Sequence, residues 1–114
     1  MSQFGDEESR KAWKKGKLDR NGYAESIMAT ERGFCYYCGR YGDTARHEIF
    51  GASNRQQSKA DGLWVSLCPY CHKWEHEGGG LERDGVTLKQ IGQMAYERTH
   101  TREEFIKRYG RNYL

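Results

Sequence analysis

The chain has 114 residues, of which 19 are Lys or Arg and 16 are Asp or Glu, so its formal net charge at neutral pH is only +3. Leu, Ile, Val and Phe together number 16, below the share of about one fifth at which disorder becomes a concern, but the small net charge and the 3 Trp and 8 Tyr residues argue against a disordered chain. These values predict one small domain that needs a source of stability besides its core, and the 4 Cys residues are the obvious source.

The hydropathy of the chain and its first residues indicate where we expect it to act. No stretch approaches the roughly 20 apolar residues of a membrane span. The N-terminal sequence MSQFGDEE has neither the basic start nor the apolar run of a secretory signal. We therefore expect a cytoplasmic protein with no membrane partner, and in that reducing compartment paired cysteines are more often metal ligands than disulfides.

Residues 1–22 are predicted to form a basic, partly flexible arm in front of a single domain over residues 23–114. Such a segment is either a phosphate-contacting extension or a solvated tail. Between residues 9 and 20, a single Asp accompanies six basic residues, which are Arg10, Lys11, Lys14, Lys15, Lys17 and Arg20.

Short apolar segments then alternate with turn residues, which predicts an α+β domain of short helices and short strands. In chain order the predicted elements are a short helix over 23–31, a tight metal-binding turn over 34–41, strands over 45–50 and 63–67 with a polar irregular loop over 51–62 between them, and a helix over 70–77 that follows Pro69 and ends at the glycines 78–80.

Two further helices are predicted over about residues 86–110, where they would cover the core. The second begins at a Thr-x-x-Glu capping box formed by Thr101 and Glu104 and ends near Gly110. The first, over 87–98, is amphipathic. Its apolar residues recur at roughly helical spacing, and they are Val86, Leu88, Ile91, Met94 and Ala95.

Two Cys-x-x-Cys pairs are the strongest chemical signal in the sequence. Cys35 and Cys38 form the first pair, and Cys68 and Cys71 form the second after 29 intervening residues. Two such pairs place four thiolates around one tetrahedral Zn²⁺ ion, whose binding contributes folding free energy. The alternative is a pair of redox-active or disulfide-forming motifs, but no helix of a βαβ unit follows the first pair.

Three of the 4 histidines lie within or just after this cysteine framework. His72 and His76 are four positions apart on a predicted helix, so they lie on one face and can bind one metal ion. Because four thiolates leave Zn²⁺ no open position, that ion would be a second one, at a site suited to catalysis. The alternatives are a pair of surface histidines and, for His47, a structural histidine on a strand.

Further short blocks surround the cysteines and histidines. They are His47–Gly51 (HEIFG), Ser53–Arg55 (SNR), Ser58–Leu63, Cys68–His72 and Phe105–Leu114. Together they resemble the HNH nuclease superfamily, also called the His-Me finger or ββα-metal fold, and in particular small prophage-encoded HNH-like proteins. The resemblance covers about residues 34–76 and the C-terminal tail. It implies a zinc-stapled α+β core of ββα-metal type over residues 34–77 with a short β-hairpin, flanked by helices at its N- and C-termini.

The resemblance also implies a role for each matched residue. The four cysteines would hold a structural Zn²⁺ ion, and His47 would be the general base that deprotonates water. His72 and His76 would bind the catalytic divalent ion, such as Mg²⁺, Mn²⁺ or Ni²⁺. A histidine that titrates near neutrality, beside a divalent ion, suits phosphodiester hydrolysis.

The chain departs from the family pattern at two positions. The residue before the catalytic histidine is commonly a metal-binding Asp or His, and here it is Arg46, which cannot bind a cation. The central asparagine of the family has no counterpart before the second cysteine pair, and we expect Asn54, in a catalytic role, or Ser58 to take its place. Glu48 is the nearest carboxylate, but strand alternation points it and Arg46 away from the His47 face.

These features favour a metal-dependent DNA endonuclease of prophage or mobile-element origin. Both a nuclease that cuts two strands and one that nicks a single strand fit this expectation. Contacts with phosphates would make its DNA affinity depend on salt. A second copy of the chain or a phage protein is a further expected partner. The alternatives are a catalytically inactive, zinc-stabilised adaptor for nucleic acid or protein on the same scaffold, and a redox protein. The expected phosphate contacts are Arg46, Arg55, Lys59, Lys14 and Lys15.

Overall fold

The computed structural model describes residues 18–77 and 82–114, which form an α+β fold. Within these ranges no helix is long and apolar enough to cross a membrane. The elements are β1 (Ala45–Glu48), a 3₁₀ turn (Ala52–Asn54), α1 (Arg55–Ala60), β2 (Trp64–Leu67), α2 (Pro69–His76), β3 (Glu82–Arg83), β4 (Val86–Thr87), α3 (Leu88–Tyr96) and α4 (Arg102–Tyr109).

The strands β1 and β2 form an antiparallel pair, as their short apolar segments predict. His47 pairs with Val65, and Arg46 pairs with Ser66. Helix α2 follows β2 and contacts both strands. It begins with Pro69 in its first turn, as predicted. Because side chains alternate along a strand, His47 and Arg46 lie on opposite faces of the hairpin.

The hydrophobic core joins this hairpin to the C-terminal helices. The ring of Phe50 lies 5.3 Å from that of Phe105 and 4.7 Å from that of Tyr109, measured between centroids. The prediction that the two C-terminal helices cover the core is therefore confirmed. The side chains that are almost completely inaccessible include Ile49, Phe50, Leu63, Val65, Leu67, Leu88 and Phe105.

Both C-terminal helices begin at capping boxes. At α4 the side chain of Thr101 accepts from the Glu104 N–H, and the Glu104 side chain accepts from the Thr101 N–H, as predicted. At α3 a second capping box starts from Thr87. Val86 lies in β4 and not in the helix, because Asp84 and Gly85 form a two-residue turn with positive φ angles. An Asp-Gly pair is a strong hairpin signal, and the β3–β4 hairpin that it forms is absent from the predicted elements.

The predicted helix over 23–31 is wrong, and with it the expected N-terminal flanking helix over these residues. Their backbone bonds to distant parts of the chain instead of to the next turn. The N–H of Ala24 donates to the carbonyl of Lys59, and the N–H of Ile27 donates to the carbonyl of Gly62, both at 2.9 Å. Tertiary hydrogen bonds therefore replace the helical ones.

The predicted irregular loop over 51–62 is also wrong, since a 3₁₀ turn and α1 occupy most of it. The sequence of α1, RQQSKA, is polar but contains good helix formers. Ser58 holds the segment in place, because its buried hydroxyl accepts from the Phe50 N–H at 3.2 Å and donates to the Leu63 carbonyl at 2.6 Å. The bracing role considered for Ser58 is thus observed.

Candidate functional site

The two cysteine pairs come together beside the end of β2. One ligand atom from each of the four cysteines lies within 4.8 Å of the other three, and the sulfurs of Cys38 and Cys68 are 3.8 Å apart. Two thiolates at about 2.3 Å from one tetrahedral zinc ion are about 3.8 Å apart, whereas disulfide sulfurs are about 2.05 Å apart. The cysteines are free thiols, and their spacing fits a zinc ion.

Local backbone turns position the sulfurs. In the first pair the N–H of Cys35 donates to the carbonyl of Arg40, and the N–H of Gly39 donates to the carbonyl of Cys35. This is the predicted tight turn. In the second pair Cys68 is the N-cap of α2, and its carbonyl accepts from the His72 N–H. A turn and a helix start thus fix the two pairs.

The thiols differ in how readily they ionise. Burial opposes ionisation of Cys35, but the backbone N–H groups of Cys38, Cys68 and Tyr37 donate to its sulfur and bring its pKa down to about 6. Burial, and then hydrogen bonds with Cys35 and Cys68, raise the pKa of Cys71. Cys35 therefore ionises more readily than Cys71, and binding of a cation favours deprotonation of all four thiols.

His47, His72 and His76 form a second cluster of metal-binding groups. One ring nitrogen of each lies within 4.8 Å of the other two, and the Nε2 atoms of His72 and His76 are 3.0 Å apart. The ring centroid of His47 lies 5.3 Å from that of His72 and 5.2 Å from that of His76. The structure therefore brings together the three histidines that were singled out from the sequence.

Burial favours the neutral form of the His47 and His72 rings. His47 is only 6% exposed, and burial, followed by the charges of His72 and His76, lowers its pKa to about 4. Burial and then His76 lower the pKa of His72. From its residue type, His47 is expected to titrate near neutrality. Burial cannot be seen in the sequence, and in the structure it lowers the pKa of His47 below that range. An unprotonated ring nitrogen can bind a metal ion or accept a proton.

The histidines line a cleft of about 550 Å³, together with three cationic side chains and two carboxylates. The cations are Arg46, Arg55 and Lys89, and the carboxylates are Glu48 and Glu75. Arg55 donates from Nε to a carboxylate oxygen of Glu48 at 3.0 Å, and its side chain is still 58% exposed. The cationic side chains of the cleft outnumber its carboxylates, and a concave surface with an excess of positive charge favours an anionic ligand.

Arg46 lies on the outer face of β1, where several groups hold it. Its guanidinium is 4.3 Å from the centre of the Tyr23 ring and 5.0 Å from that of Trp64. It also forms an ion pair with Asp19 at 2.8 Å. Glu48, on the same face, accepts a hydrogen bond from the hydroxyl of Tyr23. Neither side chain therefore belongs to the histidine cluster.

The other predicted site residues do not lie at the cleft. Lys59 is buried, with its ammonium group 4.7 Å from the centre of the Tyr23 ring. Asn54 donates from Nδ2 to the carbonyl of Tyr109 at 3.0 Å, so the structure does not bring it to the histidines, and its catalytic role stays a prediction. Two predicted phosphate contacts lie outside the described residues, namely Lys14 and Lys15.

Three polar cleft residues were not found from the sequence, Tyr23, Glu75 and Lys89. Glu75 lies on α2 next to His76. Tyr23 lies in the segment that was wrongly predicted to be helical. Lys89 lies in the first turn of α3, and it reaches the cleft only because α3 packs near the hairpin. No local pattern marks Tyr23 or Lys89, because both reach the cleft through tertiary contacts.

No protein-family model, curated protein or solved structure matches the chain. The likeness to HNH nucleases therefore stays a prediction from the sequence motifs. What the protein does has to follow from its cysteine cluster, its histidine cluster and the cleft.

Proposed function

We propose that the protein is a metal-dependent DNA endonuclease that hydrolyses phosphodiester bonds at the histidine cluster. The observation that carries the proposal is the meeting of three imidazoles, within 4.8 Å of one another, in a cleft whose cationic side chains outnumber its carboxylates. Neutral imidazoles bind divalent ions, and the cations attract phosphates. In this proposal β1, β2 and α2 form a ββα-metal core, and the cysteines hold a structural zinc ion.

Each histidine has a role in the proposed reaction. His72 and His76 would hold a divalent ion, which when bound stabilises the negative charge that develops on the phosphoryl oxygens and the leaving group. His47 accepts the proton of the attacking water at its free ring nitrogen. Burial between β1 and α2 keeps that nitrogen unprotonated at neutral pH. The exposed guanidinium of Arg55 orients the substrate through a phosphate.

The donor set predicts which ion supports the reaction. Imidazole nitrogens suit Ni²⁺ and Zn²⁺, whereas carboxylates suit Mg²⁺ and Mn²⁺. Among the described residues no carboxylate joins the three histidines, and Glu48 is already bonded to Tyr23 and Arg55. We therefore expect Ni²⁺ to support more cleavage than Mg²⁺ or Mn²⁺.

Nicking of supercoiled plasmid by zinc-loaded protein, with each of these ions added in turn, tests the proposal. His47→Ala should lower the cleavage rate by roughly 10²- to 10⁴-fold, the contribution of a general base. His100→Ala is the matched control, because His100 is exposed and stacks on Tyr96 at 4.0 Å, outside the cleft. It should cleave like the parent.

Titration of Ni²⁺ into the same variants separates two roles for His47. If it is the base, His47→Ala binds Ni²⁺ like the parent, whereas His72→Ala binds it more weakly. If His47 is a third ligand, both variants lose affinity. Equal cleavage by His47→Ala and the parent would contradict either role.

A second function is favoured by other observations. Arg46 stands where the HNH pattern has a metal ligand, and it is bonded to Asp19. Tyr41 and Tyr70, near the cysteines in sequence, are 76% and 75% exposed, and exposed aromatic rings often mark binding surfaces. A zinc-stabilised adaptor that binds nucleic acid or protein without cleaving it would show these features. DNA binding without cleavage in the presence of every ion would favour the adaptor.

A further inference from the structure

A second cavity continues from the histidine cleft. It has a volume of about 360 Å³ and is lined in part by Phe50 and Tyr113. Gly51, Ala52 and Lys89 line both cavities. An extended ligand bound at the histidines can therefore continue along the surface into the second cavity.

Lys89 stands where the two cavities meet, and its charge is available to a ligand. In the described part of the chain, no carboxylate lies within 4.0 Å of its ammonium group, and the same is true of the guanidinium of Arg111. Lys89 lies 5.9 Å and Arg111 4.7 Å from the centre of the Tyr113 ring. Two cations beside one ring offer a place for an anionic group next to an aromatic surface.

Tyr113 is held in position by two side chains of α3. Its N–H donates to Oε1 of Gln93 at 2.8 Å, and its carbonyl accepts from Nε2 of Gln90 at 3.1 Å. Gln93 is completely buried, so this attachment belongs to the interior of the protein. The ring of Tyr113 is also 5.4 Å from that of Phe50. The hydrogen bonds thus hold the backbone of Tyr113, and its ring packs against the core at the wall of the second cavity.

We propose that Lys89 and Tyr113 form a subsite for the nucleotide next to the scissile phosphodiester. Lys89 contacts the phosphate of that nucleotide, and Tyr113 contacts its base. The inference rests on the proposed function, because it adds to the cleft of a DNA endonuclease the residues that would bind the nucleotide beside the cleaved bond. A cation for the backbone and a ring for the base is a general way to bind single-stranded nucleic acid without reading its sequence.

Binding of a short fluorescent single-stranded DNA to the zinc-loaded protein, measured by anisotropy at several salt concentrations, tests the subsite without requiring cleavage. Lys89→Ala should weaken binding and reduce the slope of log K against log salt by roughly 0.7, the value for one phosphate contact. Lys107→Ala removes an equal charge from the exposed side of α4 and is the control for net charge.

Tyr113→Ala should weaken the same binding by about 5- to 150-fold, the equivalent of about 1–3 kcal/mol for one stacked base. Its salt slope should equal that of the parent, because no charge is removed. Tyr113→Phe keeps the ring and should bind like the parent. Circular dichroism of each variant shows whether the fold is retained.

Cleavage separates the subsite from the proposed function. Bis(p-nitrophenyl) phosphate contains a phosphodiester but no flanking nucleotide, so Lys89→Ala should lower kcat/KM for the oligonucleotide by a larger factor than for this ester. If the parent cleaves neither substrate, the proposed function fails and the binding data alone decide on the subsite. Two results would overturn the subsite. One is that Lys89→Ala and Tyr113→Ala bind DNA as tightly as the parent, and the other is that Lys89→Ala loses kcat/KM by the same factor on both substrates.

Discussion

Ser58→Ala removes a hydroxyl that joins the two ends of the segment between β1 and β2. The carbonyl of Leu63 would keep a partner, because it also accepts from the Ile49 N–H at 3.1 Å. The buried N–H of Phe50 would lose the bond that it makes to Ser58. The lost bond from the hydroxyl to Leu63 contributes about 0.5–1.5 kcal/mol net, and the unsatisfied buried N–H of Phe50 costs about 1–3 kcal/mol. Together they predict that Ser58→Ala lowers the free energy of unfolding by about 1.5–4.5 kcal/mol.

Urea unfolding in excess zinc, followed by Trp fluorescence, measures this loss. We expect a lower midpoint with an unchanged slope, since the surface exposed on unfolding stays the same. Ser53→Ala removes the same group from an exposed position of the same segment and should change the free energy of unfolding by less than about 0.5 kcal/mol. If the two variants were equally stable, Ser58 would not brace the segment.

Chelation of zinc, or Cys68→Ser, should unfold the protein, because zinc binding of about 10–16 kcal/mol is comparable to the whole stability of about 5–15 kcal/mol expected of a domain. Circular dichroism before and after zinc is added back measures the loss of folded structure. A melting curve that chelation leaves unchanged would exclude a structural zinc site. Gly62→Ala should be strongly destabilising, since Gly62 has φ +72 and an added Cβ would lie 2.3 Å from the carbonyl oxygen of Glu25. The control Gly39→Ala, at φ +77 with no atom within 4 Å of its Cβ, should cost only about 1–2 kcal/mol in thermal denaturation, and equal losses would contradict the clash. Burial lowers the pKa of His47 from 6.5 to about 4, so between these pH values the unfolded chain binds more protons than the folded one. Without an ion at the histidines, stability should be complete above pH 6.5 and fall by up to roughly 3 kcal/mol as the pH drops to 4. His47→Asn should remove this part of the pH dependence in urea titrations, and parallel curves for parent and variant would refute it.

The parts that could be predicted from the sequence are those that local geometry determines. A Cys-x-x-Cys pair forms a tight turn by itself, and the helical period puts His72 and His76 on one face of α2. Capping residues set the start of α4 because the side chains of Thr101 and Glu104 each accept from the other's backbone N–H. In these places the short-range pattern and the final structure agree.

The parts that could not be predicted depend on contacts between distant residues. The segment 23–31 has apolar residues at helical spacing, yet it bonds to residues near 60 that the sequence does not show as neighbours. Lys59 was expected to contact phosphates, but its ammonium group covers the ring of Tyr23. The low pKa of His47 follows from burial by other elements, which residue type alone does not indicate.

The alternation of side chains along β1 makes the hairpin sensitive to changes in chain length. His47 faces α2, while Arg46 and Glu48 contact Tyr23 on the outer side. Insertion or deletion of one residue within β1, with pairing to β2 kept, would exchange the two faces and carry His47 away from α2. An added residue in the turn over 97–101, between α3 and α4, would leave that alternation unchanged. The register of the four-residue strand β1 thus decides whether the three imidazoles come together.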